Sequence, residues 1–268
     1  MTKITNLAKE RMQKGGIAIG LGVRVARTVD IGLLGATAGF DWLFIDNEHT
    51  SLDMSMTTEI ATAALGQGIT PIVRVPGKQH FHSTRVLDNG AQGIIVPHVE
   101  NAAEAKAIAD FSKFPPIGHR SISRASALIA FQDMPVREFV DAVNEATLVT
   151  VMIESPNAVD NAEEIAAVPG METHPGLEGP LSVSHDLVFS GSWDGMLRAL
   201  SPGSGEILWE FNTASNFETV NDVPANGGSM GAVGQVVEDG LLLVTSGYVG
   251  VKNGATGNVL LVFEISPQ

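Results

Sequence analysis

The 268-residue sequence contains no cysteine, which excludes disulfides, thiolate catalysis and Cys-ligated metals. Basic residues are scarce: 16 Lys and Arg stand against 30 Asp and Glu, a formal net charge of -14. That sign excludes a nucleic-acid partner, because a phosphate backbone is gripped by a basic face. Long apolar runs are missing too. Met1 to Lys14 is polar and mixed in charge, without the apolar stretch of a signal peptide. No later run reaches membrane-spanning length. The expectation is a cytoplasmic protein with no membrane partner.

The scarcity of base is uneven. Residues 173–268 hold only Arg198 and Lys252 against 10 acids, and 15 of the 29 glycines. The character of the chain changes near Glu172, and two domains are expected, 1–172 and 173–268.

Before the break, short apolar runs alternate with helical stretches. Ile17–Leu21, Trp42–Asp46, Pro71–Val75, Gly93–Pro97 and Leu148–Glu154 read as five strands. Helices are expected near Asp30–Ala38, Met54–Gly66, His80–Asp88, Ala102–Phe111, Pro135–Glu145 and Asn157–Ala167. Continuous apolar runs between helices are the pattern of parallel strands buried on both faces. The fold class is α/β, either an open sheet or part of a barrel. After the break, Asp186–Ser192, Gly195–Leu200, Gly205–Phe211, Gly240–Ser246 and Gly257–Ile265 read as short strands set off by Gly turns, an all-β pattern.

Three of the parallel strands end in groups that a buried strand would not otherwise carry. The second ends in Asp46-Asn47-Glu48-His49, the third contains Arg74 between Val73 and Val75, and the fifth ends in Glu154. In parallel α/β folds the carboxyl ends of the strands form one rim where ligands bind. A carboxylate there suits a hard divalent cation. A His beside a carboxylate suits a general base, and a fixed guanidinium can hold an oxyanion. Together they fit enolate chemistry at a 2-oxo acid. Each also has a structural reading: Arg74 in an ion pair, His49 or Glu154 capping the following helix. His98 reads as structural, and His80, His82 and His119 as surface residues.

The run Gly39-Phe40-Asp41-Trp42-Leu43-Phe44-Ile45-Asp46-Asn47-Glu48-His49 resembles the signature of the HpcH/HpaI aldolases, which are class II, metal-dependent pyruvate aldolases. The resemblance continues through Pro71–Pro76, Leu87–Pro97, Phe114–Ser121 and Met152–Glu154 and covers residues 15–172. It implies a TIM (β/α)8 barrel and cleavage of 4-hydroxy-2-oxo acids or 2-oxo-3-deoxy sugar acids to pyruvate and an aldehyde. By the same resemblance, His49 would be the catalytic base, partnered by Asp46. Arg74 would bind the substrate and stabilise the enolate, Asp88 would be a supporting catalytic carboxylate, and Glu154 would be a ligand of Mg2+ or Mn2+. It implies a 2-oxo acid as small-molecule partner and assembly as a homo-oligomer, although the helices such relatives exchange are absent after Glu172.

The sequence departs from that pattern at Thr173-His174-Pro175-Gly176, where a sixth strand ending in a second metal-binding Asp is expected. Glu178 and Asp186 are the nearest acids that follow. The expectation is a partial barrel followed by a short propeller-like segment. Leu187–Gly195 and Gly203–Phe211 resemble a blade of the quinoprotein (PQQ) alcohol dehydrogenases. Two alternatives to an aldolase follow: a fragment of a quinone-dependent dehydrogenase, or a fusion of two incomplete pieces without function.

Overall fold

The apolar runs before the break become parallel strands in the computed structural model of the chain. The structure describes residues 4–123, 126–171, 181–184, 186–192, 194–230, 235–247 and 255–264. The chain divides into two compact units, residues 1–13 with 18–174, and residues 14–17 with 175–268. Glu172 to Gly176 and Glu178, where the departure from the aldolase pattern falls, lie outside the described residues.

The first unit runs α1 (Leu7–Gln13), β1 (Gly20–Val23), α2 (Asp30–Thr37), β2 (Trp42–Asp46), α3 (Met54–Gly66), β3 (Thr70–Arg74) and α4 (His80–Asp88). It continues through β4 (Gly93–Val96), α5 (Ala102–Ser112), a short 3-10 turn (Ala127–Ile129), α6 (Val136–Ala146), β5 (Leu148–Val151), α7 (Pro156–Asp160) and α8 (Ala162–Ala166). The strands form one parallel sheet in the order β1-β2-β3-β4-β5. Five strands are three short of the eight that close a TIM barrel. This open α/β sheet is consistent with the expected partial barrel.

Both faces of the sheet are covered, which is why the strands read as unbroken apolar runs. Leu43, Ile45, Val73, Ile94 and Val149 pack against Ile60, Ala64, Val86, Leu87 and Ile108 of the helices. Each such Leu or Ile stabilises the fold by roughly 1.5–3 kcal/mol relative to exposure. On the opposite face Ile72 and Leu148, with Trp42 and Ile95, pack against Ala8 and Met12 of α1.

Helix α1 is an element that the polar N-terminal sequence did not reveal. Asn6 Oδ1 accepts the Lys9 N–H at 2.9 Å, starting the helix. The Asn6 amide also donates to the carbonyls of Ala146 (2.8 Å) and Gln92 (3.2 Å), just before β5 and β4 begin. Three boundaries also differ from expectation: β5 ends at Val151, so Glu154 lies three residues beyond the strand instead of closing it. Strand β1 starts at Gly20, beyond Ile17, and the single helix expected over 157–167 is two short ones. The break falls at Asn161, whose side chain donates to the Glu100 carbonyl at 3.0 Å.

The second unit is antiparallel throughout. β6 (Ser182–Ser184), β7 (Leu187–Gly191), β8 (Met196–Leu200) and β9 (Ile207–Asn212) form a four-stranded meander. β10 (Asn216–Phe217) pairs with β11 (Ala225–Asn226), and β12 (Val236–Glu238), β13 (Leu241–Ser246) and β14 (Val259–Glu264) form a three-stranded sheet. Asp239 (φ 49°) and Gly240 (φ 77°) make the two-residue connection between β12 and β13. Asp-Gly suits such a turn because both central residues need positive φ. A ring of four-stranded blades needs at least about 16 strands. The short-strand, Gly-turn architecture is therefore present, and a propeller is not formed among the described residues. Trp193, part of the quinoprotein resemblance, lies outside them.

Candidate active site

Asp46 closes β2 and Arg74 closes β3, and the two are direct partners in the parallel register. Side chains of register partners emerge on the same face, so the pairing of the strands brings carboxylate and guanidinium together. Arg74 Nε donates to Asp46 Oδ1 at 2.9 Å and Nη2 donates to Oδ2 at 2.7 Å. This two-point fork fixes the guanidinium plane. The guanidinium lies over the Phe44 ring, 5.2 Å from its centroid, and Nη1 is 3.2 Å from Glu48 Oε2.

Asp46 has no solvent-exposed side-chain surface. Burial works to raise its pKa, but the Arg74 hydrogen bonds and charge, with the His49 and Glu48 N–H groups, outweigh that and hold it below the ordinary value. The Arg74 pKa is raised. Burial opposes the shift, and the Asp46 bond and the charges of Asp46, Glu48 and Glu154 produce it.

The turn after β2 is built on the same carboxylate. Asp46 Oδ1 accepts the N–H groups of Glu48 (3.0 Å) and His49 (3.2 Å), and the Thr50 hydroxyl donates to the Asp46 carbonyl. Asp53 then caps α3, accepting the Met56 N–H at 2.9 Å. His49 is therefore not the helix cap, and its ring stands at the rim, 59% exposed. The expected ring partner was Asp46, yet Asp46 holds only the His49 backbone. Both Asp46 oxygens are taken by the Arg74 fork, and the carboxylate near the ring is Glu48, with Nε2 to Oε2 at 3.5 Å.

Glu154 follows β5. The cap of α7 is its neighbour Ser155, whose hydroxyl accepts the Ala158 N–H at 3.0 Å, so Glu154 is left to the rim. There it meets His98. The His98 N–H donates to Glu154 Oε2 at 2.9 Å, and Nδ1 lies 3.2 Å from the same oxygen. Nε2 is 3.1 Å from Glu48 Oε1. His98 has φ 57°, in the left-handed region that a non-glycine residue rarely adopts. Of this cluster, the sequence alone reads His98 as structural and gives Glu48 no role of its own. The signal was present: His98 sits two residues beyond the end of β4, on the rim that made Asp46, Arg74 and Glu154 candidates.

Asp88 stands apart. It is the last residue of α4, where the chain turns back toward the start of β4, at the end of the sheet away from the strand termini. It accepts from Arg120 Nη2 at 2.6 Å. Arg120 is almost fully buried and lies over the Phe114 ring. Its pKa is lowered because burial outweighs the hydrogen bond and charge of Asp88. Asp88→Asn should destabilise the unit by about 2–4 kcal/mol, because it strands a buried guanidinium; urea unfolding would read the loss. Unchanged stability would show that solvent reaches Arg120.

The Mg2+ or Mn2+ expected at Glu154 has that one carboxylate in place, with Oε2 already engaged by His98. Among the described residues no group of three or more His, Asp or Glu could hold a metal ion. A cation held by protein ligands alone does not fit them.

Residues 34–174 match the sequence profile of the HpcH/HpaI aldolase/citrate lyase family. The chain belongs to that family. It is 36% identical over 196 residues to the 4-hydroxy-4-methyl-2-oxoglutarate aldolase tasA of Hapsidospora irregularis, covering 72% of each chain. It is 32% identical over 206 residues to a 4-hydroxy-2-oxovalerate aldolase of Novosphingobium aromaticivorans, covering 76% of each. Among solved structures it resembles the HpcH/HpaI aldolase from Desulfitobacterium hafniense DCB-2, at 26% identity and a TM-score of 0.60. That alignment covers 63% of this chain and 64% of the other, so the chain spans less than two thirds of that aldolase. The family match ends at residue 174, so it gives the quinoprotein resemblance of the following segment no support. No helix among the described residues is long and apolar enough to cross a membrane.

Proposed function

We propose that the first unit binds 4-hydroxy-2-oxo acids and cleaves them between C3 and C4, releasing pyruvate and an aldehyde. The observation that carries this reading is the Arg74 fork, held by buried Asp46 at the strand rim beside His49. With Nε and one side of Nη2 committed to Asp46, and Nη1 beside Glu48 and Met152, the second Nη2 N–H is the donor proposed for a substrate oxyanion.

In the proposed reaction His49 takes the proton from the C4 hydroxyl. The C4 oxygen forms a carbonyl, the C3–C4 bond breaks, and its electron pair passes to C3 as the enolate of pyruvate. Arg74 stabilises the enolate oxygen, a charge that develops only as the bond breaks and so lowers the barrier selectively. Transfer of the proton held by His49 to C3 then gives pyruvate and returns the base to its neutral form. Glu154 is the carboxylate proposed to contact a divalent cation, with water and substrate oxygens as further ligands. The relatives named for 4-hydroxy-2-oxo acid substrates support the substrate class.

The test is pyruvate release from a 4-hydroxy-2-oxo acid, followed through lactate dehydrogenase, with Mn2+ and then EDTA added to read the cation's part. Catalysed release above the buffer rate is expected. A folded sample that releases none with or without Mn2+ would refute the proposal.

A further inference from the structure

A second guanidinium meets the buried carboxylate of the site. Arg24 directly follows β1, whose last residue Val23 is in register with Ile45, so Arg24 lies level with Asp46. Its Nε is 3.2 Å from Asp46 Oδ2, the same oxygen that accepts from Arg74 Nη2 at 2.7 Å. One carboxylate thus serves two cations. Asp46 is fully occupied: Oδ1 already takes Arg74 Nε and two backbone N–H groups.

Arg74 is further balanced by Glu48. Arg24 has no other acidic neighbour among the described residues, and its side chain is 60% exposed. Its Nη groups stand at the rim with no ion-pair or hydrogen-bond partner among the described residues. The turn that follows is tied down, where Arg27 Nη2 donates to the Ser51 carbonyl and lies 3.1 Å from the Ser51 hydroxyl.

We propose that Arg24 is a specificity-determining residue that receives a second carboxylate, borne on the half of the substrate that leaves as the aldehyde or ketone. The preferred substrates are then 4-hydroxy-2-oxo dicarboxylates. This rests on the retro-aldol reading above. The two guanidinium groups share one oxygen of Asp46, so a ligand whose 2-oxo end engages Arg74 brings a carboxylate a few bonds away to Arg24. A planar guanidinium whose Nη groups have no partner among the described residues suits that carboxylate in two-point fashion, which a lysine ammonium would not reproduce.

The experiment compares wild type with Arg24→Gln and Arg24→Lys on 4-hydroxy-2-oxoglutarate and on 4-hydroxy-2-oxovalerate, which lacks the second carboxylate. Arg24→Gln should lower kcat/KM for the diacid by roughly 10- to 100-fold, mainly through KM, the range of a charge-assisted pair. The monoacid should change by less than about threefold, and Arg24→Lys should recover only part of the loss. An equal fall on both substrates would mean that Arg24 acts through Asp46, and no fall on either would mean that it binds no substrate. Either result overturns the proposal.

Calorimetry with 2-oxoglutarate and 2-oxobutyrate separates this proposal from the proposed function. If wild type cleaves neither substrate yet binds the diacid more tightly, and Arg24→Gln removes the difference, the carboxylate site stands and the lyase reading falls. Equal binding of the two acids by wild type overturns the site.

Discussion

Replacing His49 with alanine should lower kcat for pyruvate release by about 10²- to 10⁴-fold, the usual worth of a positioned general base. KM should change little, because the base acts on a proton that moves during the reaction and holds the ground state weakly. The fold should not notice. The ring is more than half exposed, and the hydrogen bond that shapes the turn comes from the His49 backbone, which alanine keeps. Thermal unfolding should therefore shift by no more than about 0.5 kcal/mol. Steady-state kinetics and a melting curve on one preparation check both halves. A kcat within threefold of wild type would remove His49 from the mechanism and leave His98, the other imidazole at the rim, as the base to test.

Arg74→Ala should damage activity and stability together. Loss of the group that faces the enolate should lower kcat/KM by about 10²- to 10³-fold. It also leaves the buried Asp46 carboxylate with one cation instead of two. Removing one partner of a buried pair costs about 3–5 kcal/mol, and the lower end is expected because Arg24 remains beside Oδ2. The penalty should depend on pH in a defined direction. In wild type the Asp46 pKa is depressed below its ordinary value of 3.8. Its contribution to stability is therefore fully present above that value and is lost as pH falls through the lower folded value. In Arg74→Ala the main lowering influence is gone and burial, the raising one, remains, so protonation of Asp46 relieves the variant. The gap between the two proteins should be widest near neutrality and shrink below about pH 4. Urea unfolding at pH 7 and pH 3 measures it; a constant gap would mean that Asp46 does not titrate with folding.

The parallel strands were legible because a sheet covered on both faces leaves apolar residues at consecutive positions, as in Trp42 to Ile45 and Pro71 to Val73. What stayed hidden was tertiary. Helix α1 is anchored by Asn6 to carbonyls far along the chain, and no local pattern around Leu7 announces that. Helices α7 and α8 look continuous in sequence, yet Asn161 turns its amide to Glu100 and interrupts them.

At the site, the strand-end argument found Asp46, His49, Arg74 and Glu154 and placed them on one rim. It could not say which carboxylate would face which ring. The preference of Asp46 for Arg74 follows the strand register, and the link from His98 to both Glu48 and Glu154 joins three loops far apart in sequence. Asp88 precedes its strand, and it lies at the other end of the sheet.

The Asn6 amide has implications for the order in which the chain acquires its structure. Its contact with Ala146 spans 140 residues of sequence, so helix α1 has no complete seat until the segment ahead of β5 has also emerged from the ribosome. At about 5–20 residues per second of synthesis, that is a wait of the order of ten seconds. During it, Ala8 and Met12 lack their later neighbour Leu148, and for the earlier part Ile72 as well. Helix α1 is made before the sheet and locked only after four of its five strands have followed.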